Sequence, residues 1–193
     1  RLEIPVDPYK AFRCDVPNLS TSLYFLVNDA FFDKALPKVQ LPEGVTIDSL
    51  SKVAKENPGF IENFYGKIAN TGEDAITALN TMLAQDGLLI HVKKNVVVDR
   101  TVHVINILRS DVDMMVNRRV LIVMEEGAEA KFLFCDHAAD DRHFLTTQVI
   151  EAFVADNASL DLYCLEETHA KNVRFSNLYI DQQANSRVNH NII

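Results

Sequence analysis

Val120-Leu-Ile-Val-Met-Glu-Glu-Gly-Ala-Glu-Ala-Lys-Phe-Leu-Phe134 reads as an alternating strand, a short turn and a second alternating strand. The pattern returns at Ile150-Glu-Ala-Phe-Val-Ala-Asp-Asn-Ala-Ser-Leu-Asp-Leu-Tyr-Cys164 and again at Leu178-Tyr-Ile-Asp-Gln-Gln-Ala-Asn-Ser-Arg-Val-Asn-His190. A weaker copy, Leu88-Leu-Ile-His-Val-Lys-Lys-Asn-Val-Val-Val98, precedes them. The corner residues are Asn95, Gly127, Asn157 and Gln183, spaced 32, 30 and 26 residues apart. Asn and Gly tolerate the left-handed backbone of a sharp corner; Gln183 lacks that advantage. Around each corner every second residue is apolar, the period of a strand.

Aligned on the corners, Ala130 lies over Leu160 and Ser186, Phe132 over Leu162 and Val188, and Phe134 over Cys164 and His190. Before the corner, Ile122, Ala152 and Leu178 stack, as do Met124, Val154 and Ile180. Like positions stacking at a period of 20 to 50 residues mark a solenoid. With strands and no helical periodicity between corners, the solenoid is a β-helix. The alternative is an antiparallel sandwich of similar hairpins. In the β-helix, Phe132 points inward and Leu133 outward.

The 193 residues suffice for one or two domains with a real core. Hydrophobic content of 48% and charged content of 24% are ordinary for a soluble protein. A net charge of −8 argues against a general nucleic-acid binder, which would present a basic face. Cys14, Cys135 and Cys164 are odd in number and unpaired in spacing, as expected in a reducing cytoplasm. No signal peptide is visible and no apolar run reaches membrane-spanning length. The first residue is Arg1 rather than Met, and the sequence stops inside a strand, so both ends read as cut. A chain ending at Ile193 is expected to self-associate through residues 176 to 193, because an unpaired strand edge is a template for pairing.

Three prolines before position 18 are followed by Leu23-Tyr-Phe-Leu-Val27, Asn28-Asp29 and Ala30-Phe31-Phe32, which reads as a hairpin. Leu41-Pro-Glu-Gly-Val45 is a turn. Asp48 or Ser49 caps a helix with Leu50, Val53 and Ala54 on one face. Asn57-Pro58 opens a second helix carrying Phe60, Ile61, Phe64 and Tyr65. A third has Ala75, Ile76, Ala78, Leu79, Met82 and Leu83 at helical spacing. The expected organisation is mainly β: an α/β, mostly helical cap region over 1–85, then a partial parallel β-helix over 86–193. The cap's task is to cover the first coil.

Cys135-Asp136-His137 with His143, joined by Cys164 and His169 from the next coil, offers ligand types suited to zinc or iron. No Cys-x-x-Cys element supports this, and the corner alignment turns Cys164 inward and Cys135 outward. The plain alternative is a buried Cys164 acting as a small hydrophobe and a surface Cys135. Glu125, Glu126, Asp136, Asp140, Asp141, Asp156, Glu166 and Glu167 would serve acid–base chemistry on glycans if they converged; otherwise they are exposed loop residues. His91, His103 and His190 lie in strands, where most histidines are structural. No phosphate loop and no Gly-x-Ser-x-Gly element appears. From its residues the chain is a scaffold or interaction module.

Several stretches resemble the SufB/SufD family of iron–sulfur cluster assembly proteins, its SufD branch most closely. Tyr24-Phe-Leu-Val-Asn-Asp-Ala-Phe31 is similar to the family's early hairpin, and Leu41-Pro-Glu-Gly-Val-Thr-Ile-Asp-Ser-Leu50 to the approach to its helical region. Ala78-Leu-Asn-Thr81 with Asp86-Gly-Leu-Leu-Ile-His-Val92 is the most specific likeness. Val102-His-Val-Ile-Asn-Ile107 and Arg119-Val-Leu-Ile-Val-Met-Glu-Glu-Gly-Ala128 resemble the strands that follow. At Lys93-Lys-Asn95 the chain departs from the family's proline and glycine; Asn95 can take the glycine's backbone role.

The resemblance implies a right-handed parallel β-helix behind a helical region, and a non-catalytic subunit of the cytoplasmic SufBCD scaffold. It implies a SufB-like subunit and a SufC-like ATPase as partners, with no membrane and no nucleic acid. An iron–sulfur cluster would be held transiently by the complex. The family's partner surfaces and cluster-assembly residues lie later than Ile193, so no catalytic, cofactor-binding or metal residue is carried over. The alternative function is a β-helix enzyme or binding module acting on glycans.

Overall fold

A computed structural model of the chain describes residues 22–35 and 40–193. Two mainly parallel sheets face each other. In the first sheet, β1 (Ser22–Val27), β5 (Val102–Leu108), β7 (Glu129–Ala138), β9 (Ser159–Glu167) and β11 (Arg187–Ile192) lie in parallel register. The short β2 (Ala30–Phe31) folds back antiparallel on β1. In the second sheet, β4 (Leu88–Val92), β6 (Met114–Met124), β8 (Phe144–Val154) and β10 (Asn172–Gln182) are parallel, and β3 (Val45–Ser49) pairs antiparallel with β4. The chain alternates between the sheets, one strand in each per coil. This is a parallel β-helix, and its strands take no antiparallel sandwich pairing.

The corners explain the winding. Asn95, Gly127, Asn157 and Asn185 have φ of 61°, 68°, 60° and 56°. Successive corners bond by backbone: Asn95 N to Glu126 O, Gly127 N to Asp156 O, and Asn157 N to Ala184 O. A side chain on Gly127 would begin 2.5 Å from Asn95 Oδ1, so it would have to displace the Asn95 amide as well as accept the positive φ. The fourth corner is therefore Asn185 and not Gln183, and the last spacing is 28. The register shifts by two with it: Ile180, not Leu178, pairs with Ala152 in the Ile122 row, and Leu178 pairs with Ile150. Likewise Val188 pairs with Leu160, His190 with Leu162 and Ile192 with Cys164, in place of Ser186, Val188 and His190. A shift of two preserves the strand's faces, so Leu178 and Val188 still pack on the internal core.

That core is the even-numbered face of the strands, including Ile90, Val104, Ile122, Phe132, Phe134, Ala152, Val154 and Leu162. Leu133, facing outward, is partly exposed. Each fully buried Leu, Ile or Phe contributes about 1.5–3 kcal/mol of apolar burial.

Three helices cover the outer face of the second sheet. α1 (Leu50–Glu56) is capped by Ser49, whose side chain accepts from Lys52 N; α2 (Pro58–Phe64) is capped by Asn57, accepting from Phe60 N. Leu50 and Ile61, with Val53, Phe60, Phe64 and Tyr65, pack on Leu89, Leu121 and Val123. α3 (Ala75–Leu83), capped by Asp74, behaves differently from its expected apolar face. Its buried residues are Thr77 and Asn80, while Met82 is 72% exposed. Hydrogen bonds rather than apolar contact seat this helix. The hairpin is as expected, with Asn28 at φ 58° in the turn, but β1 is also the first rung of the solenoid and not a separate cap.

Candidate functional site

The strand β6 carries Arg118 and Arg119, and around each of them converges a buried polar network. The even face of β6 turns Arg118 into the lumen. Its Nε donates to Asn28 O at 2.9 Å and its Nη1 to Asp136 Oδ1. Asp136 Oδ2 lies 2.9 Å from Arg174 Nη1, which also reaches Glu166 Oε1 at 2.7 Å. Exposure rises along this chain of charges: 1% for the Arg118 side chain, 2% for Asp136, 9% for Arg174 and 45% for Glu166. Burial works against the Arg118 charge and holds its pKa below the usual guanidinium range, though Asp136 opposes the effect.

Arg119 points the other way, beneath the helices. Its Nη2 meets Glu151 Oε2 at 2.5 Å, its Nη1 donates to Thr81 Oγ1 at 2.9 Å, and its guanidinium lies 4.6 Å from the centre of the Tyr65 ring. Glu151 also accepts from the backbone N–H groups of Gly66, Ile68 and Ala69. Asn80 donates to Arg118 O and Thr147 O, and Thr77 Oγ1 lies 2.8 Å from Tyr179 OH. Asp86 accepts from Phe31 N, Ser49 Oγ and Ser51 N, joining the hairpin to α1. A Cβ at Gly87 would run into Arg119 O, so only glycine lets the chain pass there. The sequence Ala78-Leu-Asn-Thr81 with Asp86-Gly87 is thus the junction between the helical cover and the solenoid.

Above the luminal charges, Cys164 Sγ stands 3.7 Å from His190 Nε2. Burial pushes the Cys164 thiol up to about 11, with Arg174 opposing the shift. Desolvation lowers His190 from its ordinary value. At neutral pH the pair is a thiol beside a neutral imidazole, not the thiolate–imidazolium pair of a nucleophilic cysteine.

The other candidate residues are dispersed. Cys135 and Cys164 face opposite sides of the first sheet, as the alternation requires. Cys135 is nevertheless 0% exposed, not a surface residue; its row on the outer face includes the buried Phe25 and Ile105. His137 Nδ1 lies 3.4 Å from Glu167 and His143 Nδ1 3.3 Å from Asp113, while His169 Nε2 contacts Asp140 O. His91 pairs with Glu125 at 2.7 Å. His103 is buried with its Nε2 unpartnered, and burial lowers its pKa. Cys14 lies outside the described residues. Among the described residues no three His, Cys, Asp or Glu side chains group to hold a metal ion. Of the candidate carboxylates, Asp136 and Glu166 meet, on Arg174, and others are held in separate ion pairs. Glu126 pairs with Lys94, Asp140 with Arg109 and Asp141 with Lys171, each locally. No helix among the described residues is long and apolar enough to cross a membrane.

Family comparison adds what geometry does not supply. The model of the SufBD protein N-terminal region matches residues 1–104, and that of the SUF-system FeS cluster assembly SufBD core domain matches residues 106–193. The chain is 28% identical over 149 residues to an iron–sulfur cluster assembly SufBD family protein of Synechocystis sp., covering 74% of this chain and 31% of that protein. It is 28% identical over 153 residues to one of Trieres chinensis, with 75% and 31% covered. Against one of Arabidopsis thaliana it is 25% identical over 118 residues, with 61% and 25% covered. The chain thus spans less than a third of the length of these curated relatives.

Proposed function

Because the chain belongs to the SufB/SufD family of iron–sulfur cluster assembly proteins, we propose that it serves as a scaffold segment of a SufBCD-type complex, in the SufD role, without turnover of its own. The observation that carries this proposal is the consecutive pair of family matches, which together take in all but one residue of the chain. The internal chemistry supports it. The one thiol–imidazole contact among the described residues has its thiol raised to about 11, so it does not present a thiolate near neutrality. The buried arginines hold structure together, Arg118 on Asp136 and Arg119 on Glu151. In this role the solenoid is a rigid spacer that positions later parts of the protein. A SufB-like subunit and a SufC-like ATPase are its partners, in the cytoplasm. An iron–sulfur cluster is cargo of the assembled complex, not a resident group of these residues.

Co-expression with SufB-like and SufC-like proteins tests the proposal, with the chain in the context of its full-length protein. One stable assembly should purify through a tag on any component. Purification of the tagged protein free of both partners would sink the scaffold role. Turnover by the isolated chain with ATP, iron and sulfide, or a cluster chromophore lost in Cys135→Ser, would sink its non-catalytic character.

A further inference from the structure

We propose that the charged stretch of the β-helix lumen holds ordered water, centred on Arg118 and its register partner Gln148, with Asn106 and Arg174 on the coils to either side. All four sit on inward-facing positions. Asn106 pairs in register with Asp136, Arg118 with Gln148, and Arg174 reaches Asp136. Asn106, Arg118 and Gln148 are each 1% exposed. Each of the four carries a buried polar atom with no hydrogen-bond partner in the protein: Asn106 Nδ2, Arg118 Nη2, Gln148 Oε1 and Arg174 Nε. Their other polar atoms are largely engaged, Arg118 Nε with Asn28 O and Gln148 Nε2 with Ser176 Oγ at 3.2 Å.

Buried polar groups are nearly always satisfied, and four orphans in one layer would weigh heavily against a domain's small net stability. The layer lies between apolar clusters. On one side are Ile122, Phe132 and Phe134; on the other are Leu108, Val116 and Phe144. A bridging water needs two to four polar partners in a polar setting, and this layer supplies them.

The chemistry selects water over an anion. Three of the orphan atoms are donors, and the fourth, Gln148 Oε1, is an acceptor. A water can accept from Arg118 Nη2 and donate to Gln148 Oε1, and further waters can accept from Asn106 Nδ2 and Arg174 Nε, whereas an anion would meet the Gln148 oxygen unfavourably. The charges also balance, with Arg118 and Arg174 against Asp136 and Glu166, so no surplus positive charge draws in an anion. The proposal stands independently of the family assignment.

A crystal structure grown in bromide, at a resolution that shows ordered solvent, tests this directly. Water density within hydrogen-bond distance of Arg118 Nη2 and Gln148 Oε1, with no bromine anomalous peak, is expected. A dry layer in which these atoms find partners within the protein, or a bromine peak among them, would overturn it. In solution, oxygen-17 relaxation dispersion counts long-lived internal waters. Gln148→Met should lose at least one, and Gln182→Met, outside the layer, none. An unchanged count in a folded Gln148→Met variant would also overturn the site.

Discussion

Arg118 and Arg119 are consecutive in the chain, both at most 1% exposed, and on opposite sides of one strand. Arg118 crosses the lumen to Asp136, while Arg119 binds the helical cover through Glu151, Asn80 and Thr81. A single strand therefore anchors the inside of the solenoid to its outside. Charges this deep persist only when paired and hydrogen-bonded.

Removing the outer charge should be costly. Arg119→Met leaves Glu151, itself 0% exposed, without its cation, and should destabilise by about 3–5 kcal/mol, the usual penalty for one abandoned partner of a buried pair. Urea midpoints measure it. A loss no larger than that of an exposed control such as Lys94→Met would show that the pair is dispensable.

The strand phase is tested at Phe132 and Leu133. Phe132 is 0% exposed in the internal core, and truncation to Ala should cost about 3–5 kcal/mol. Leu133→Ala, on the partly exposed outer face, should cost clearly less. Equal denaturation midpoints for the two variants would contradict the inward direction of Phe132.

At the corners, φ decides which residues tolerate change. Asn157 and Asn185 hold φ of 60° and 56°. A β-branched residue in that region costs on the order of 1–2 kcal/mol, so Asn157→Val and Asn185→Val should both lower the melting temperature, and the glycine variants should not. Gln183→Gly should give no gain. A stabilising Gln183→Gly together with a harmless Asn185→Val would relocate the fourth corner.

Cys164 makes stability depend on pH at the alkaline end. Its thiol is raised from 9.0 to about 11 by burial, so the folded state binds that proton more tightly than the unfolded chain. This contribution is complete below about pH 9 and is lost as pH rises through about 11. Cys164→Ala should flatten the fall in melting temperature across that window. In native protein, alkylation of Cys164 should remain slow near neutrality and accelerate only towards pH 11. Rapid labelling at neutral pH would show an activated thiol.

The corners Asn95, Gly127 and Asn157 were legible because few residues accept a positive φ, and each stands between alternating apolar strands. Asn185 is harder to read because its coil is 28 residues long while the preceding one is 30, and Gln183 lies only two positions away. The error moved the register and left the faces intact. The arginine networks were not legible. On the alternating pattern, an Arg at an inward position breaks the rule, and its partners lie 18 to 90 residues away. The same applies to α3, whose apolar residues suggested a greasy contact although its seat is made by Thr77 and Asn80. Patterns local in sequence reveal strands and corners; a buried charge is explained only once distant segments have been brought together.

The place of β1 in the first sheet governs the order in which the chain can fold. Its parallel neighbour β5 begins 80 residues further on, Ser22 pairing with Val102, whereas later coils join strands about 30 residues apart. During synthesis, β1 cannot gain its parallel partner until Ile107 has left the ribosome. From then on each new coil finds a finished edge to grow upon. The slow, entropically demanding closure is confined to the first rung, and the rest can be laid down at the pace of translation.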